Sequence, residues 1–278
     1  MVNTIFSATG CARCNITKKY MRDNGIDYEE FDIKADGKDV FSQFYRENRS
    51  DIFRDKDGVE FPVFTNGEVI LQGVSVVIGY LLAGDNLKGF IGRSALHGEW
   101  LDGIDISGGD PAHTEALVKV FERLKESGLK IQAVTSGGNS EMLATVLQKG
   151  LVDRLIVDVK GPAELYSSIT GSPIAEDDLA GSIKLAATAP ECSFITTIAP
   201  ISRSDDTIEY LSPEEIAATA QLIEKASGSK TNPYTLCPFD PKTCDDERFS
   251  SLEPLPASAF FKYRTAARRY QVMTEIKK

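Results

Sequence analysis

The residues best suited to chemistry are two cysteines with two residues between them, Cys11 and Cys14. The sequence predicts a strand over Asn3–Ser7 before the pair and a helix after it that ends at Asn24-Gly25. Unpaired N–H groups at a helix start lower the pKa of a thiol, so Cys11 would attack disulfides as a thiolate. Arg13 adds positive charge there, and Cys14, one turn later, would resolve the mixed disulfide. This pattern predicts a thiol–disulfide redox pair.

A Cys-x-x-Cys pair can also be half of a zinc site, which needs a second pair of ligands. Cys237 and Cys244 are a poor candidate for this second pair, because six residues separate them. The strand before the pair, the helix after it and Pro62 farther along favour the redox hypothesis, with no metal ligands. Cys192 is expected to be a buried small hydrophobe. Cys237 with Cys244 could form a disulfide, half a metal site or a reactive thiol.

A second group of polar and glycine residues follows the strands of a predicted β-α-β-α-β segment between Ile104 and Lys160. The strands are continuous apolar runs and each helix has one apolar face, so a parallel sheet covered on both sides is predicted. Ligands bind at the carboxyl edge of such sheets. The residues expected at that edge are Gly108, Gly109, Asp110, Ser136, Asp158 and Lys160.

Two hypotheses account for this second group. In the first, it forms a ligand pocket, where the glycines let a carboxylate or phosphate approach backbone N–H groups and the polar side chains meet an amino group or a ribose. In the second, it is turn and cap chemistry: Asp110 caps a helix, Gly137-Gly138 form a turn, and Asp158 pairs with Lys160.

Composition limits the classes of function. The chain has 278 residues, 42% hydrophobic and 26% charged, typical of a soluble globular protein with two domains. A net charge of −10 argues against nucleic acid or an anionic membrane as the main partner. No signal peptide or membrane-spanning run is recognisable, so a cytoplasmic location is expected. There, five cysteines indicate redox or metal chemistry, and the two histidines, His97 and His113, are expected to be solvated or satisfied residues rather than ligands or bases.

The predicted element order up to residue 83 is β-α-β-α-β-β-α, the order of a thioredoxin-like fold. Its strand–Cys-x-x-Cys–helix start, Phe61-Pro62 and Gln72-Gly73-Val74-Ser75 resemble glutaredoxins. The resemblance implies a cis Pro62 and a substrate site made by Arg13, Phe61, Pro62, Gly73 and Ser75. No lysine precedes Cys11 to meet a glutathione carboxylate, so the expected reductant is either glutathione or a thioredoxin-type reductase.

The second group of residues resembles radical SAM activating enzymes, those that act on anaerobic ribonucleotide reductase and pyruvate formate-lyase. The matching segments are Gly108-Gly109-Asp110-Pro111, Ser136-Gly137-Gly138 and Asp158-Val159-Lys160. The resemblance covers the chain from residue 100 onward and implies an incomplete (β/α) barrel with an S-adenosylmethionine pocket. The family's three-cysteine loop has no counterpart, because no cysteine lies between Asp85 and Asp105. We therefore expect no required cofactor, no [4Fe–4S] cluster and weakened binding of S-adenosylmethionine.

The rest of the chain is predicted from local patterns. Helices are expected over residues 175–189 and from Ser212-Pro213 to residue 226, and strands over residues 194–198 and 232–236. A last helix is expected to carry a basic end made of Arg264, Arg268, Arg269, Lys277 and Lys278.

Together these observations predict an α/β protein in three parts: a glutaredoxin-like domain over residues 1–83, a glycine-rich joint over 84–102 and a partial radical SAM-like barrel over 103–278. The predicted function is a thiol–disulfide oxidoreductase whose second domain docks it to a client protein disulfide. By resemblance, the client is an anaerobic ribonucleotide reductase or another glycyl-radical system. Two alternatives stay open: a regulatory protein that binds S-adenosylmethionine or a nucleotide, and a radical SAM enzyme whose cluster uses Cys11, Cys14 and Cys237.

Overall fold

The computed structural model describes residues 2–56, 58–94, 96–203, 207–244 and 246–277. Its internal contacts divide the chain into two compact units. The first holds the residues up to Ile104 together with Gly109–Ile131, and the second holds Asp105–Gly108 together with the residues from Gln132 onward. The boundaries at residues 83 and 102 stay a prediction.

The first unit begins with a small mixed sheet. Its strands are β1 (Asn3–Ser7), β2 (Tyr28–Asp32), β3 (Arg54–Asp55), β4 (Gly58–Val59), β5 (Val63–Thr65) and β6 (Ile70–Gln72), and its helices are α1 (Ala12–Asp23), α2 (Lys38–Glu47) and α3 (Val74–Ala83). Four strands are hydrogen-bonded in the order β2-β1-β5-β6, and β3 and β4 form a separate two-stranded sheet. β1 and β2 are parallel, whereas β5 is antiparallel to β1 and to β6. This is the predicted thioredoxin-like order, with the β3–β4 hairpin as an unpredicted addition.

Apolar side chains on both faces of this sheet hold the helices. Ile5, Met21, Phe64 and Val77 form a fully buried cluster that joins the sheet to α1 and α3. On the other face, the ring of Phe6 lies 5.1 Å from that of Phe41 and 4.7 Å from that of Phe44, both on α2. Aromatic rings at these separations pack favourably. The sheet therefore fixes the start of α1, where the cysteine pair lies.

The glycine-rich segment after α3 is more ordered than its composition predicts. A 3₁₀ helix spans Gly84–Leu87, Leu87 and Phe90 are buried, and Ile91 forms an isolated antiparallel bridge with Ile104. The next elements of the first unit are β7 (Trp100–Asp105) and α4 (Thr114–Glu126). α4 packs against α3, and its Arg123 pairs with Asp23 of α1 at 2.8 Å. Buried apolar residues and long-range ion pairs hold this part of the chain in spite of its glycines.

The second unit contains the parallel sheet. Its strands are β8 (Lys130–Thr135), β9 (Arg154–Asp158), β10 (Glu191–Ile198), β11 (Pro200–Ser202), β12 (Ile208–Tyr210), β13 (Tyr234–Pro238) and β14 (Thr274–Ile276). Its helices are α5 (Ser140–Gln148), α6 (Tyr166–Thr170), α7 (Glu176–Ala186), α8 (Pro213–Ser227), α9 (Glu247–Ser250) and α10 (Phe260–Ala267). Five of this unit's strands are ordered β14-β13-β10-β9-β8, and their pairs are all parallel. A closed barrel of this kind has eight strands, so the predicted incomplete α/β architecture is confirmed.

One prediction about this unit is wrong. The last helix, α10, ends at Ala267, so Arg268 and Arg269 lie beyond it, and Lys277 follows strand β14. Lys278 lies outside the described residues. After the helix, the buried Gln271 donates its side-chain amide to the carbonyl of Ser229 at 2.8 Å. This contact with a distant segment lies between the end of α10 and β14, which pairs with β13.

Candidate active site

The cysteine pair lies at the N-terminus of α1 as a disulfide between Cys11 and Cys14, with Cα atoms 5.3 Å apart. Cys11 is the N-cap residue, and its Sγ accepts the backbone N–H of Cys14 at 3.1 Å. Cys11 is half-buried and Cys14 is fully buried. This order of exposure is the one predicted, because an attacking sulfur must be reached from outside and a resolving sulfur need not be.

The loop before α1 holds Cys11 in place. The backbone N–H of Cys11 donates to the carbonyl of Ala8 at 2.9 Å, and Gly10 adopts a φ of +83°, which favours glycine. Thr9 donates its backbone N–H to Asp32 Oδ1 at 3.0 Å. The side-chain hydrogen bond from Thr9 also holds the pKa of Asp32 below its usual value. The loop is thus tied to the end of β2.

The Phe61-Pro62 bond is cis, as the resemblance implies. Two contacts stabilise this turn. Gly73 donates its N–H to the carbonyl of Pro62 at 2.9 Å, and the ring of Phe61 lies 5.2 Å from that of Phe41. Phe61 and Cys11 both line one cavity of about 440 Å³. The disulfide and the cis-proline turn therefore share a space large enough for a small ligand.

Other walls of this cavity come from residues that sequence reasoning missed: Phe53, Glu60, Arg93, Ser94 and His97. The side chain of Gln72 fixes the backbone of Phe53, because it accepts its N–H at 3.1 Å and donates to its carbonyl at 2.9 Å. The guanidinium of Arg93 lies 3.3 Å above the centre of the Phe53 ring. Glu60 could have been found from its place beside Phe61-Pro62, but no local signal indicates Arg93 or His97.

The side chain of Arg13 forms hydrogen bonds and an ion pair with other residues of the protein. Its guanidinium pairs with Glu60 at 3.0 Å, donates to the carbonyl of Trp100 at 2.8 Å and also donates to the carbonyl of Leu96. Only 12% of the side chain is exposed. Burial raises the pKa of Glu60, and the charge of Arg13 offsets part of that effect. Arg13 thus links the start of α1 to the residues before β7.

Gly73 and Ser75 were both predicted to bind substrate. Gly73 has a φ of +93°, and a Cβ atom there would lie 3.1 Å from Glu60 Oε1. Ser75 is fully buried, and its Oγ has no hydrogen-bond partner among the described residues. The structure brings Arg13, Phe61 and Cys11 to one cavity, whereas Pro62, Gly73 and Ser75 are not among the residues that line it.

The residues of the predicted second pocket are divided between the two units. Gly109 and Asp110 belong to the first unit, whereas Gly108, Ser136, Asp158 and Lys160 belong to the second. At Gly109 a Cβ atom would lie 2.3 Å from the ring of the buried Phe90, so the lack of a side chain lets this ring pack against the backbone of Gly109. Asp110 caps a short 3₁₀ helix through the N–H of Ala112 at 2.9 Å.

The second-unit members of the group form their own polar network. Lys160 Nζ lies 2.5 Å from Asp158 Oδ2, and Asp158 Oδ1 is buried without a hydrogen-bond partner among the described residues. Ser136 donates its N–H to Ser107 Oγ at 2.9 Å. Tyr166 donates its hydroxyl to the carbonyl of Ser136 at 3.2 Å, and burial raises the pKa of Tyr166 well above its usual value. The observed pairs are those of the turn-and-cap hypothesis.

The donor set does not fit an iron–sulfur cluster at the position that the activating-enzyme resemblance implies. No cysteine lies between Asp85 and Asp105, and a cluster needs thiolates. Within the described ranges, no three side chains of His, Cys, Asp or Glu are grouped so that they could hold a metal ion. Cys192, Cys237 and Cys244 are free thiols, and burial raises the pKa of both Cys192 and Cys237.

Comparisons with known proteins agree with both resemblances. Residues 3–70 match the glutaredoxin family model. A putative glycyl-radical enzyme activating enzyme of Methanocaldococcus jannaschii is 26% identical over 163 residues, which are 56% of this chain and 61% of that protein. The chain thus spans about three fifths of the length of this curated relative. A crystal structure of a domain of pyruvate-formate lyase-activating enzyme from Bacteroides vulgatus matches 63% of this chain and 98% of its own, with 14% identity and a TM-score of 0.44.

The N-terminal part of the chain is therefore a glutaredoxin domain, and the chain also has similarity to activating enzymes of glycyl-radical enzymes. Within the described residues, every helix is too short or too polar to span a bilayer.

Proposed function

We propose that this chain, with its glutaredoxin domain, is a thiol–disulfide oxidoreductase that works through Cys11 and Cys14. In the reduced chain, the Cys11 thiolate attacks a disulfide R–S–S–R, and one R–S⁻ leaves and takes up a proton. Cys14, as its thiolate, then attacks Cys11 Sγ, which releases the second R–SH and forms the Cys11–Cys14 disulfide. Two electrons have passed to the substrate, and a thiol donor restores the dithiol.

One observation carries this proposal: the half-buried Cys11 sulfur lies at a helix start, bonded to a buried Cys14, and lines a cavity with the cis-proline turn. The helix start stabilises the Cys11 thiolate when the bond opens, and Cys14 is already within bonding distance. The family-model match over residues 3–70 supports the same chemistry.

The test is a single-turnover reaction of the reduced chain with bis(2-hydroxyethyl) disulfide, followed by mass spectrometry. The wild-type chain should release two mercaptoethanol molecules, and Cys14→Ser should stop at a mixed disulfide on Cys11. Cys11→Ser should react at least about a hundredfold more slowly, because the only exposed thiolate of the pair is gone. Cys192→Ser is the control and should behave as wild type. A mixed disulfide on Cys14, or full activity in Cys11→Ser, would refute the assignment.

We propose further that the region from residue 103 docks this oxidoreductase to a glycyl-radical system, such as an anaerobic ribonucleotide reductase, whose disulfide is the client. Similarity to a glycyl-radical enzyme activating enzyme supports this partner. We propose no catalytic step in that region, and we place the chain in the cytoplasm. The reductant is glutathione or a thioredoxin-type reductase.

The partner proposal is tested by trapping. The Cys14→Ser chain is mixed with an oxidised anaerobic ribonucleotide reductase, and disulfide-linked species are resolved on a non-reducing gel. The same full-length variant mixed with insulin, a protein disulfide with no glycyl-radical partner, serves as the comparison for docking. A cross-link that forms no faster with the reductase than with insulin would contradict a docking role.

A further inference from the structure

The cavity at Cys11 is covered in part by the chain itself. Leu96–Trp100, called the cover loop from here on, contributes His97 and Gly98 to the walls of the cavity that Cys11 and Phe61 line. These residues lie far along the chain from the cysteine pair and outside the match to the glutaredoxin family model, which ends at residue 70. The cover loop is thus an addition to the redox site.

Three sets of contacts fasten the cover loop. Arg13, beside Cys11, donates hydrogen bonds to the carbonyls of Leu96 and Trp100. Its guanidinium also forms an ion pair with the Glu60 carboxylate at 3.0 Å. Asp102 accepts the N–H of Leu96 at 3.2 Å. At the far side, Lys130 donates its backbone N–H to the carbonyl of Glu99 at 2.6 Å, and its ammonium pairs with the Glu99 carboxylate at 2.7 Å. Hydrogen bonds to a charged guanidinium are stronger than neutral ones.

The space beside Cys11 is bordered by residues of the cover loop. The cavity holds about 440 Å³, which is within the range of small-molecule sites. A polypeptide disulfide must bring its own backbone beside the cis-proline turn, and the loop residues His97 and Gly98 already border that space. Arg13 cannot bind a substrate backbone while it holds the two loop carbonyls.

We propose that the cover loop makes Cys11 selective by size: in the state described here, it admits small disulfides and excludes polypeptide disulfides. This inference rests on the proposed function and names its substrate class. The electron balance is that of the exchange already described, with small thiols as products and a small thiol as donor. A protein client gains access only after the loop is displaced, so docking has to break the contacts of Arg13.

The experiment compares two disulfides in single-turnover reactions of the reduced chain, bis(2-hydroxyethyl) disulfide and insulin. The variants are Arg13→Gln, Asp102→Ala and their combination, and the readout is the ratio of the insulin rate constant to the small-disulfide rate constant. Arg13→Gln also alters the charge beside Cys11, but that effect acts on both substrates and cancels in the ratio. Asp85→Ala is the control, because its pair with Lys88 is exposed and lies outside the redox site.

We expect the ratio to rise at least about tenfold in the double variant, because the rate with a large substrate scales with the population of the open loop. The ratio, and neither rate alone, is the criterion, since the loss of the Arg13 charge beside Cys11 changes both rates. An unchanged ratio in the double variant overturns the size filter while the redox function stands. If neither disulfide oxidises the wild-type chain, the proposed function itself fails. Should circular dichroism show that the double variant folds poorly, the single variants are judged by the same criterion.

Discussion

At the scale of single residues, burial distinguishes Cys11 from Cys14 and Cys192. Cys11 is half-buried at a helix start, Cys14 is fully buried, and burial raises the pKa of Cys192 to about 12. A thiol reacts as its thiolate, so a thiol with a raised pKa reacts slowly at neutral pH. The redox pair can therefore turn over without interference from Cys192.

Alkylation of the reduced chain checks this order. With iodoacetamide at pH 7, Cys11 should be labelled first and Cys192 last, because a thiol with a pKa of about 12 has a thiolate fraction on the order of a thousandfold below that of an ordinary cysteine. Peptide mass spectrometry over time gives the individual rates. In guanidinium chloride, which unfolds the chain, the differences between the labelling rates of the cysteines should disappear. Labelling of Cys192 at the rate of Cys11 in the folded chain would contradict the burial argument.

Gly109 shows how one residue can serve packing where a ligand role was predicted. Its Cα faces the ring of Phe90, and a Cβ atom there would lie 2.3 Å from that ring. Because Phe90 is fully buried, its ring has little room to move.

Gly109→Ala should therefore lower the free energy of unfolding by about 1–3 kcal/mol, the usual cost of overpacking a core. Urea denaturation followed by circular dichroism measures the change. Gly92→Ala is the matched control, since a Cβ there would lie 3.5 Å from its nearest neighbour, an ordinary contact. If Gly109→Ala is as stable as Gly92→Ala, Phe90 does not cover this glycine.

At the scale of elements, the start of α8 combines local and long-range interactions. Ser212 and Glu215 form a capping box, with the Ser212 N–H 2.7 Å from Glu215 Oε2. Arg203 adds two hydrogen bonds to the same carboxylate, at 2.6 and 3.0 Å. Burial opposes ionisation of Glu215, but the hydrogen bonds from Arg203 and Ser212 outweigh it, so the pKa of Glu215 is lowered.

Glu215→Gln should therefore make the free energy of unfolding less dependent on pH in the acid range. A carboxyl with a lowered pKa stabilises the folded chain above its unfolded value, about 4.5, and this contribution is lost as pH falls. The variant should be less stable than wild type by up to about 1 kcal/mol at pH 7. The difference should shrink toward pH 3, measured by thermal melts across the range. Ser212→Thr, which keeps the cap hydroxyl, is the control; a difference that grows at low pH would reverse the sign of the argument.

At the scale of the whole molecule, the positions of the cysteines determine whether thiolate ligands are available for an iron–sulfur cluster. Cys11 and Cys14 are joined to each other, and the other three are single thiols. The activating-enzyme resemblance places a cluster after Asp85, where no thiolate donor exists. Similarity to activating enzymes is therefore expected to reflect scaffold and partner rather than cluster chemistry.

Anaerobic reconstitution with iron and sulfide tests this expectation. We predict less than about one iron per chain and no broad absorbance near 400 nm, because a [4Fe–4S] cluster needs about three or four thiolates. A radical SAM protein treated in parallel is the control for the procedure. About four irons per chain with that absorbance would restore the alternative in which Cys11, Cys14 and Cys237 bind a cluster.

The sequence by itself determined the features that depend on neighbouring residues. The strand–Cys-x-x-Cys–helix start, the order of the thioredoxin-like elements, the capping box of α8 and the parallel strands β8 to β10 were all predictable. Each is encoded within a few residues, by apolar periodicity, by capping side chains or by turn glycines. The cis Pro62 followed from family resemblance rather than from spacing.

Only the tertiary structure decided what those residues contact. Arg13 was predicted as a charge beside Cys11, yet its guanidinium is held by Leu96 and Trp100, 83 and 87 residues away. The ring of Phe90 packs against Gly109, a contact that the glycine's own neighbourhood does not indicate. The last basic residues were predicted in one helix, but that helix ends at Ala267, and Gln271 beyond it contacts Ser229. Such contacts depend on which distant segments the fold brings together, and the local pattern around each residue carries no record of them.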